Sequence, residues 1–260
     1  MCATINKVID LAKTSGLPLT ADHEGRLAFG EGLETVTPAV RRLAEMQEVL
    51  MAAGADGPDE LYYMYRDVCR VQDKELIAKY GLRYDVTVIR PGQIGREFIK
   101  TAGHYHPLKP QTEFSYPEVY EVLAGKAHYL LQTEPDEDGI DAILIEAVAG
   151  DKVLIPPGYG HITINPGQEY LIMSNWVAAD FSSIYGPIKE LGGGAFFEVA
   201  ADGEDEEFVV NPKYKPTPRL SLQPVKNYPE FGLVSGEPMY QAFLADPDKF
   251  TFLTHPEKHF

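Results

Sequence analysis

From Leu61 to Ala200 the chain is a train of short apolar runs broken by turn residues, and this rhythm limits the folds open to it. LYYMYRDVCRV, YDVTVIRPGQIG, EFIKTAGHY, EVYEVLAG, AHYLLQT, DAILIEAVAG, DKVLIPPG, HITINPG, EYLIMSNWV and FFEVA are rich in β-branched and aromatic residues. Gly, Pro, Asn and Asp separate them at intervals of roughly ten residues, the spacing of a sandwich or barrel. No helical periodicity shows between Gly81 and Ser182. The expectation is an all-β domain, with 260 residues enough for one large domain or two small ones.

The flanks read differently. Residues 1–16 suggest a short helix, with Ile5, Val8, Ile9 and Leu11 as an uneven apolar face, and residues 17–35 suggest extended chain. TPAVRRLAEMQEVLMAAG, Thr37 to Gly54, is the clearest helix on paper. Thr37 can cap it, Pro38 suits its first turn, and Val40, Leu43, Met46, Val49 and Leu50 fall at helical spacing. PDEDGID (135–141) and ADGEDEEF (201–208) read as solvated turns. EPMYQAFLADPDKFTFLTHPEKHF, at the end of the chain, is too apolar for a free tail and should pack on the barrel or on a neighbouring subunit. The expected division is an N-terminal segment (1–60), a barrel (61–215) and a C-terminal extension (216–260).

Composition removes several classes of function. A net charge of -16 argues against nucleic acid, whose phosphates need clustered Lys and Arg. An anionic ligand would need a local positive site built against that field, from a metal, a few cations or oriented N–H groups. No apolar run approaches ~18 residues, so no membrane-spanning helix is expected. The first residues lack the apolar core of a secretory signal. With only Cys2 and Cys69, a disulfide framework is not expected and a reducing cytoplasm fits.

The chemistry gathers in two strings. GHYHPLKPQTEFSYPEVYEVLAG places His104 and His106 at i and i+2, which on a strand puts both rings on one face. Glu118 follows after a long Pro-bounded loop. GDKVLIPPGYGHITIN, Gly150 to Asn165, carries a further histidine, His161, just after a tight Pro156–Gly158 turn. Three imidazoles and a carboxylate would suit iron(II), manganese, nickel or zinc. His23, His128, His255 and His259 are given structural or surface roles, and Lys109 that of a solvated loop lysine.

The second string resembles the second motif of the cupin superfamily at every fixed position. The first string resembles the first motif, with a longer gap between H-x-H and Glu and with Phe98 where a Gly is common. The resemblance implies a double-stranded β-helix, a jelly-roll barrel, with flanking N-terminal helices and a C-terminal extension. It also implies a metal held by His104, His106, Glu118 and His161. VRRLAEM, LYYMYRDV, TVIRPGQIGREFIKTAGHYH, PEVYEVLAGKAHYLLQ, VLIPPGYGHITIN, YGPI and VVNPKYK are together similar to the archaeal-type, metal-dependent glucose-6-phosphate isomerases, over about residues 17–215. That similarity implies one divalent metal per chain, iron(II) ahead of Mn2+, Ni2+ or Zn2+, and a sugar phosphate as substrate. It implies a cytoplasmic homodimer acting in glycolysis and gluconeogenesis. It carries Glu118 and Tyr120 onto catalytic positions, and Tyr62, Thr87, Thr101, Gly103 and Tyr185 onto substrate-binding ones. Ser183 and Trp176 depart from the pattern expected at the far wall of the pocket. The competing readings are a metal-dependent cupin dioxygenase of a small substrate and a non-catalytic sugar-binding cupin.

Overall fold

A computed structural model describes residues 8–137, 139–201 and 206–260. In chain order its strands are β1 (Ile9–Asp10), β2 (Leu19–Ala21), β3 (Leu27–Phe29), β4 (Ala39–Arg42), β5 (Glu60–Tyr65), β6 (Leu82–Ile89), β7 (Gln93–Ile94), β8 (Glu97–Phe98), β9 (Glu118–Ala124), β10 (Lys126–Gln132), β11 (Asp141–Val148), β12 (Lys152–Ile155), β13 (Gly160–Ile164), β14 (Leu171–Ala178), β15 (Phe196–Ala200), β16 (Glu206–Val210) and β17 (Arg219–Gln223). The helices α1 (Ala12–Ser15), α2 (Lys74–Lys79), α3 (Gly186–Glu190) and α4 (Met239–Ala245) are short.

Two sheets form the barrel walls, in the orders β12-β9-β14-β6-β5-β4 and β13-β10-β11-β17. Pairing is antiparallel except for β17, which lies parallel to β11. A third sheet, β16-β15-β8-β7, and the N-terminal sheet β1-β2-β3 complete the described strands. This is the all-β architecture expected from the run spacing, and the jelly roll that the resemblance implied.

The period-2 alternation of the strands sorts side chains into two cores. Tyr129, Leu131, Ile143, Ile162 and Ile164 from one wall meet Val122, Val153, Ile155 and Met173 from the other, between the sheets. On the outer face of the six-stranded sheet, Tyr84, Val86, Val88, Val119, Leu123 and Trp176 form a second core. Both ends of the chain close over it, Leu11 and Leu17 from one and Tyr240, Phe243 and Phe250 from the other. The C-terminal segment therefore packs on the barrel. Trp176 stacks on Tyr240 with centroids 5.7 Å apart, lies 4.5 Å from Phe243, and donates its indole N–H to the Met239 carbonyl at 3.3 Å.

Of two expected helices, one is absent and the other is a single turn among the described residues. Over residues 37–54 the chain forms β4 and two 3-10 turns, Leu43–Glu45 and Gln47–Val49. Val40 and Arg41 pair with Tyr63 and Tyr62, so β4 takes up the edge hydrogen bonds of β5 that a helix would leave open. Glu45 accepts the Arg42 backbone N–H at 2.8 Å, which turns the strand into the first 3-10 turn. Leu43, Met46 and Val49 are spaced by three, the 3-10 period, and pack into the inner core. At the N-terminus, residues 1–7, Ile5 among them, lie outside the described residues, and among the described ones helix is confined to the single turn of α1. The flanking N-terminal helices are thus replaced largely by the β1-β2-β3 sheet and β4.

The 135–141 run is a turn bridged at Asp136 and Gly139, as expected, with Asp138 outside the described residues. Half of the second acidic run, residues 202–205, is likewise outside them, and its end enters β16.

Candidate metal centre

Three stretches build the centre. Residues 99–106 run antiparallel beside β13 without forming a regular strand. Thr101 N–H donates to the Thr163 carbonyl at 2.8 Å, and His104 and His161 exchange backbone hydrogen bonds of 3.3 and 3.0 Å. His104 therefore faces His161 directly. Gly103 makes this approach possible. Its φ is +75°, and a Cβ there would lie 2.5 Å from Ile162 Cγ1. The loop after His106 returns Tyr116 to it, and His106 Nδ1 donates to the Tyr116 carbonyl at 2.9 Å. A carbonyl can only accept, so this bond places a proton on Nδ1 and turns Nε2 toward His104 and Glu118. Glu118 opens β9, opposite Ile155 of β12 and Val177 of β14.

The donor atoms converge. His104 Nε2 and His106 Nε2 are 3.1 Å apart, and Glu118 Oε2 lies 3.4 Å from His106 Nε2 and 3.2 Å from His161 Nε2. Atoms bound ~2.1 Å from one ion are ~3.0 Å apart at right angles and ~3.4 Å apart in a tetrahedron. The four residues match that spacing, with all their candidate ligand atoms within 4.8 Å of one another. Glu118 Oε2 is buried and has no hydrogen-bond partner among the described residues, a costly state that a cation would relieve. Burial holds the His104 and His161 imidazoles below their ordinary pKa, so they stay neutral. Burial pushes the Glu118 carboxyl upward, but His106 and His161 outweigh it and hold the group well below its usual value. Neutral imidazoles with an ionised carboxylate are the protonation states that a divalent ion requires.

The centre opens into a cleft walled by residues of β5, β6, β9 and β14. The sequence model of the glucose-6-phosphate isomerase (GPI) family matches residues 40–219. The chain belongs to the glucose-6-phosphate isomerase family. It is 33% identical to the glucose-6-phosphate isomerase of Thermococcus litoralis over 73% of this chain and 95% of that one. It is 37% identical to the Thermococcus kodakarensis enzyme of the same name, over 68% and 87%. Among solved structures it is similar to Bacillus subtilis oxalate decarboxylase, with 18% identity and a TM-score of 0.35 over 49% of this chain and 28% of that one. The C-terminal layer, from Leu220 on, lies outside the matched region of the isomerase family.

In this isomerase-family chain, Tyr62, Thr87, Thr101, Gly103, Tyr120 and Tyr185 all line the one cleft. His104, His106 and Glu118 line it as well, while His161 sits behind them, 1% exposed. Tyr120 Oη is 3.1 Å from His161 Nε2. Ser183 is at the cleft wall, as expected. Trp176 is not. It points to the outer core, and its neighbours Asn175 and Val177 face the cleft instead, because adjacent strand residues take opposite faces. Lys109 is no free loop lysine: its Nζ lies 2.8 Å from Glu257 and 3.0 Å from His255 Nδ1, which ties the metal loop to the C-terminal segment. His128 is fully buried and 2.8 Å from Glu198, a structural role as expected.

Sequence reasoning missed Arg66, Arg83 and Asn175, which also line the cleft. A signal for Arg83 was present: it lies four residues before Thr87 on one strand, hence on the same face. Arg66 follows β5, beyond the reach of strand alternation.

Proposed function

We infer that this chain interconverts glucose 6-phosphate and fructose 6-phosphate, with one divalent metal held by His104, His106, Glu118 and His161. The convergence of those four donors in a cleft with neutral hydrogen-bond donors on its other side, in a chain of this family, carries the reading. Bound there, the metal supplies Lewis-acid polarisation of the sugar carbonyl and neutralises charge at oxygen.

The chain's own groups supply the rest. The Thr101 hydroxyl accepts the Thr163 N–H at 2.9 Å, so its own hydrogen is free to reach a phosphate. The Tyr62 hydroxyl accepts the Ala102 N–H at 3.2 Å and is likewise free to donate. With Thr87 and the Gly103 N–H they offer a phosphate four donors and no net charge. Burial and the nearby Glu118 raise the Tyr120 phenol well above its usual pKa, so it stays a donor that orients a sugar hydroxyl. Tyr185 closes the opposite side, its ring 5.4 Å from that of His104. Glu118 is the carboxylate placed to take the C2 proton and return it at C1. A ligand is a weakened base, so Glu118 must loosen in that step unless hydrogen passes directly between the carbons.

The finer reading is iron(II) as the metal, with Mn2+, Ni2+ or Zn2+ as alternatives. It includes action in glycolysis and gluconeogenesis, a cytoplasmic location, and a homodimer that a strictly monomeric mass in solution would exclude. No described helix is long and apolar enough to cross a membrane.

The test is conversion of fructose 6-phosphate to glucose 6-phosphate by chelator-stripped protein, without oxygen, with each metal restored in turn. One metal should restore turnover, and His161→Ala should lose most bound metal and most activity. Stoichiometric metal binding without turnover for any metal would refute the isomerase, and full activity in His161→Ala would refute the ligand set.

A further inference from the structure

The cleft holds a charged assembly that the reading above leaves unused. Asp85, on β6, is 0% exposed, yet it lies on the cleft side of the sheet. Its carboxylate accepts hydrogen bonds from Arg66 Nη1 at 2.6 Å, from the Asp67 backbone N–H at 2.9 Å, and from Arg83 Nε at 2.9 and 3.0 Å. Asp67 adopts a φ of +58°, and this left-handed turn aims its N–H at Asp85 and Arg66 back across it. Asp85 thus spends its acceptors within the protein, while each guanidinium keeps N–H groups to spare. Two guanidinium charges against one carboxylate leave this group with a net positive charge, in a chain whose total is -16.

The strand register gives its place. Val177 of β14 pairs with both Arg83 and Glu118, and Asn175 pairs with both Asp85 and Tyr120. Arg83 and Asp85 are therefore two strands from Glu118 and Tyr120, ~9.6 Å across the sheet, a span that long side chains bridge. Glu118 and Tyr120 are close enough to act on the Arg66 charge. Thr87 lies one inward-facing position further along β6 than Asp85, so Arg83 lies on the other side of Asp85 from Thr87, level with Glu118, while Arg66, the residue after Tyr65, falls beside Asp85 on the β5 side, and both arginines line the cleft.

We propose that Arg66, held in place by Asp85 and Arg83, contacts O1 or O2 of the bound sugar and stabilises the negative charge that develops there. The proposal rests on the isomerase reading. When the C2 proton passes to a base, the C–H electron pair moves into C1–C2 and the carbonyl pair moves onto O1, so charge appears at oxygen. A direct hydrogen shift from a deprotonated O2 also leaves it there. A preoriented guanidinium answers that charge without reorganising. Arg66 is then a catalytic residue, and Asp85 and Arg83 are positioning residues.

Two ligands separate this role from simple attraction of phosphate. The five-carbon aldonate phosphate carries a carboxylate where the charged O1–C1–C2–O2 unit would sit. The six-carbon alditol phosphate shares the phosphate but is neutral at that end. Both are titrated calorimetrically into metal-loaded protein, with metal content measured in parallel. Arg66→Gln, at a half-exposed side chain that should not disturb folding, is expected to weaken the aldonate phosphate ~10–100-fold. The alditol phosphate should change by less than ~3-fold and bound metal not at all. Arg66→Lys should recover part of the loss, and Asp85→Asn should follow Arg66→Gln in direction. Equal weakening of both ligands, or no change in either, would overturn the proposal. If the unaltered protein binds neither phosphate, the isomerase reading itself fails and the proposal falls with it.

Discussion

Gly103→Ala tests the backbone device that joins the candidate metal centre to the proposed phosphate-binding side of the cleft. Two costs add. A residue with a Cβ at φ +75° pays ~1–2 kcal/mol for the left-handed conformation. The new methyl also lies 2.5 Å from Ile162 Cγ1 and 3.0 Å from Ile188 Cδ1, both in the inner core. Overpacking of that kind costs ~1–3 kcal/mol. The sum is ~2–5 kcal/mol, which at ~2–4 °C per kcal/mol lowers Tm by ~4–20 °C. His104 is the next residue, so the shift should also lower metal occupancy. Calorimetric or fluorescence melting with metal analysis reads both effects. The two costs separate in an Ile162→Ala background, where the added methyl meets vacated space. There the Gly103→Ala penalty should fall toward ~1–2 kcal/mol, the conformational part with only the milder Ile188 contact left beside it. An equal penalty in both backgrounds would refute the steric account. A Tm within ~2 °C of the parent with full metal would refute the whole argument.

Two further outcomes concern the outer layer. Phe243→Ala, at a fully buried ring against Trp176, should cost ~3–5 kcal/mol in denaturant unfolding while leaving metal per folded chain unchanged; an effect under ~1 kcal/mol would show that the C-terminal segment is not part of the cooperative fold. Burial raises the Glu121 carboxyl from 4.5 to about 7, even though Lys152 Nζ is 2.8 Å away. A raised folded pKa contributes stability in full below the ordinary value and loses it as pH rises through about 7, up to ~3 kcal/mol. Glu121→Gln should lower stability overall by stranding Lys152, yet flatten the slope between about pH 4.5 and 7; an unchanged slope would sink the assignment.

The sequence by itself determined the β architecture and the four candidate metal ligands that the fold brings together. Both are local in their grammar. Turn residues end each strand where the chain must reverse, and the strings around His104, Glu118 and His161 each carry their own turn. Period-2 alternation then makes Glu118 and Tyr120 share a face without knowledge of what they meet. Residues 37–54 misled because their apolar spacing suits a helix and a pair of 3-10 turns alike. Only the open edge of β5, supplied by a distant part of the chain, selects the strand. Trp176 depended on register. The pairing of β14 with β9 shifts between Ile172 and Met173, and a one-residue change moves a side chain to the other face. Lys109 found its partners in Glu257 and His255, and Arg66 found Asp85 by a turn at Asp67, contacts that no spacing rule contains. The candidate ligand set follows from residue order within short segments. The walls of the cleft, and the layer that seals the sheet behind it, exist only once segments far apart in the chain are packed together.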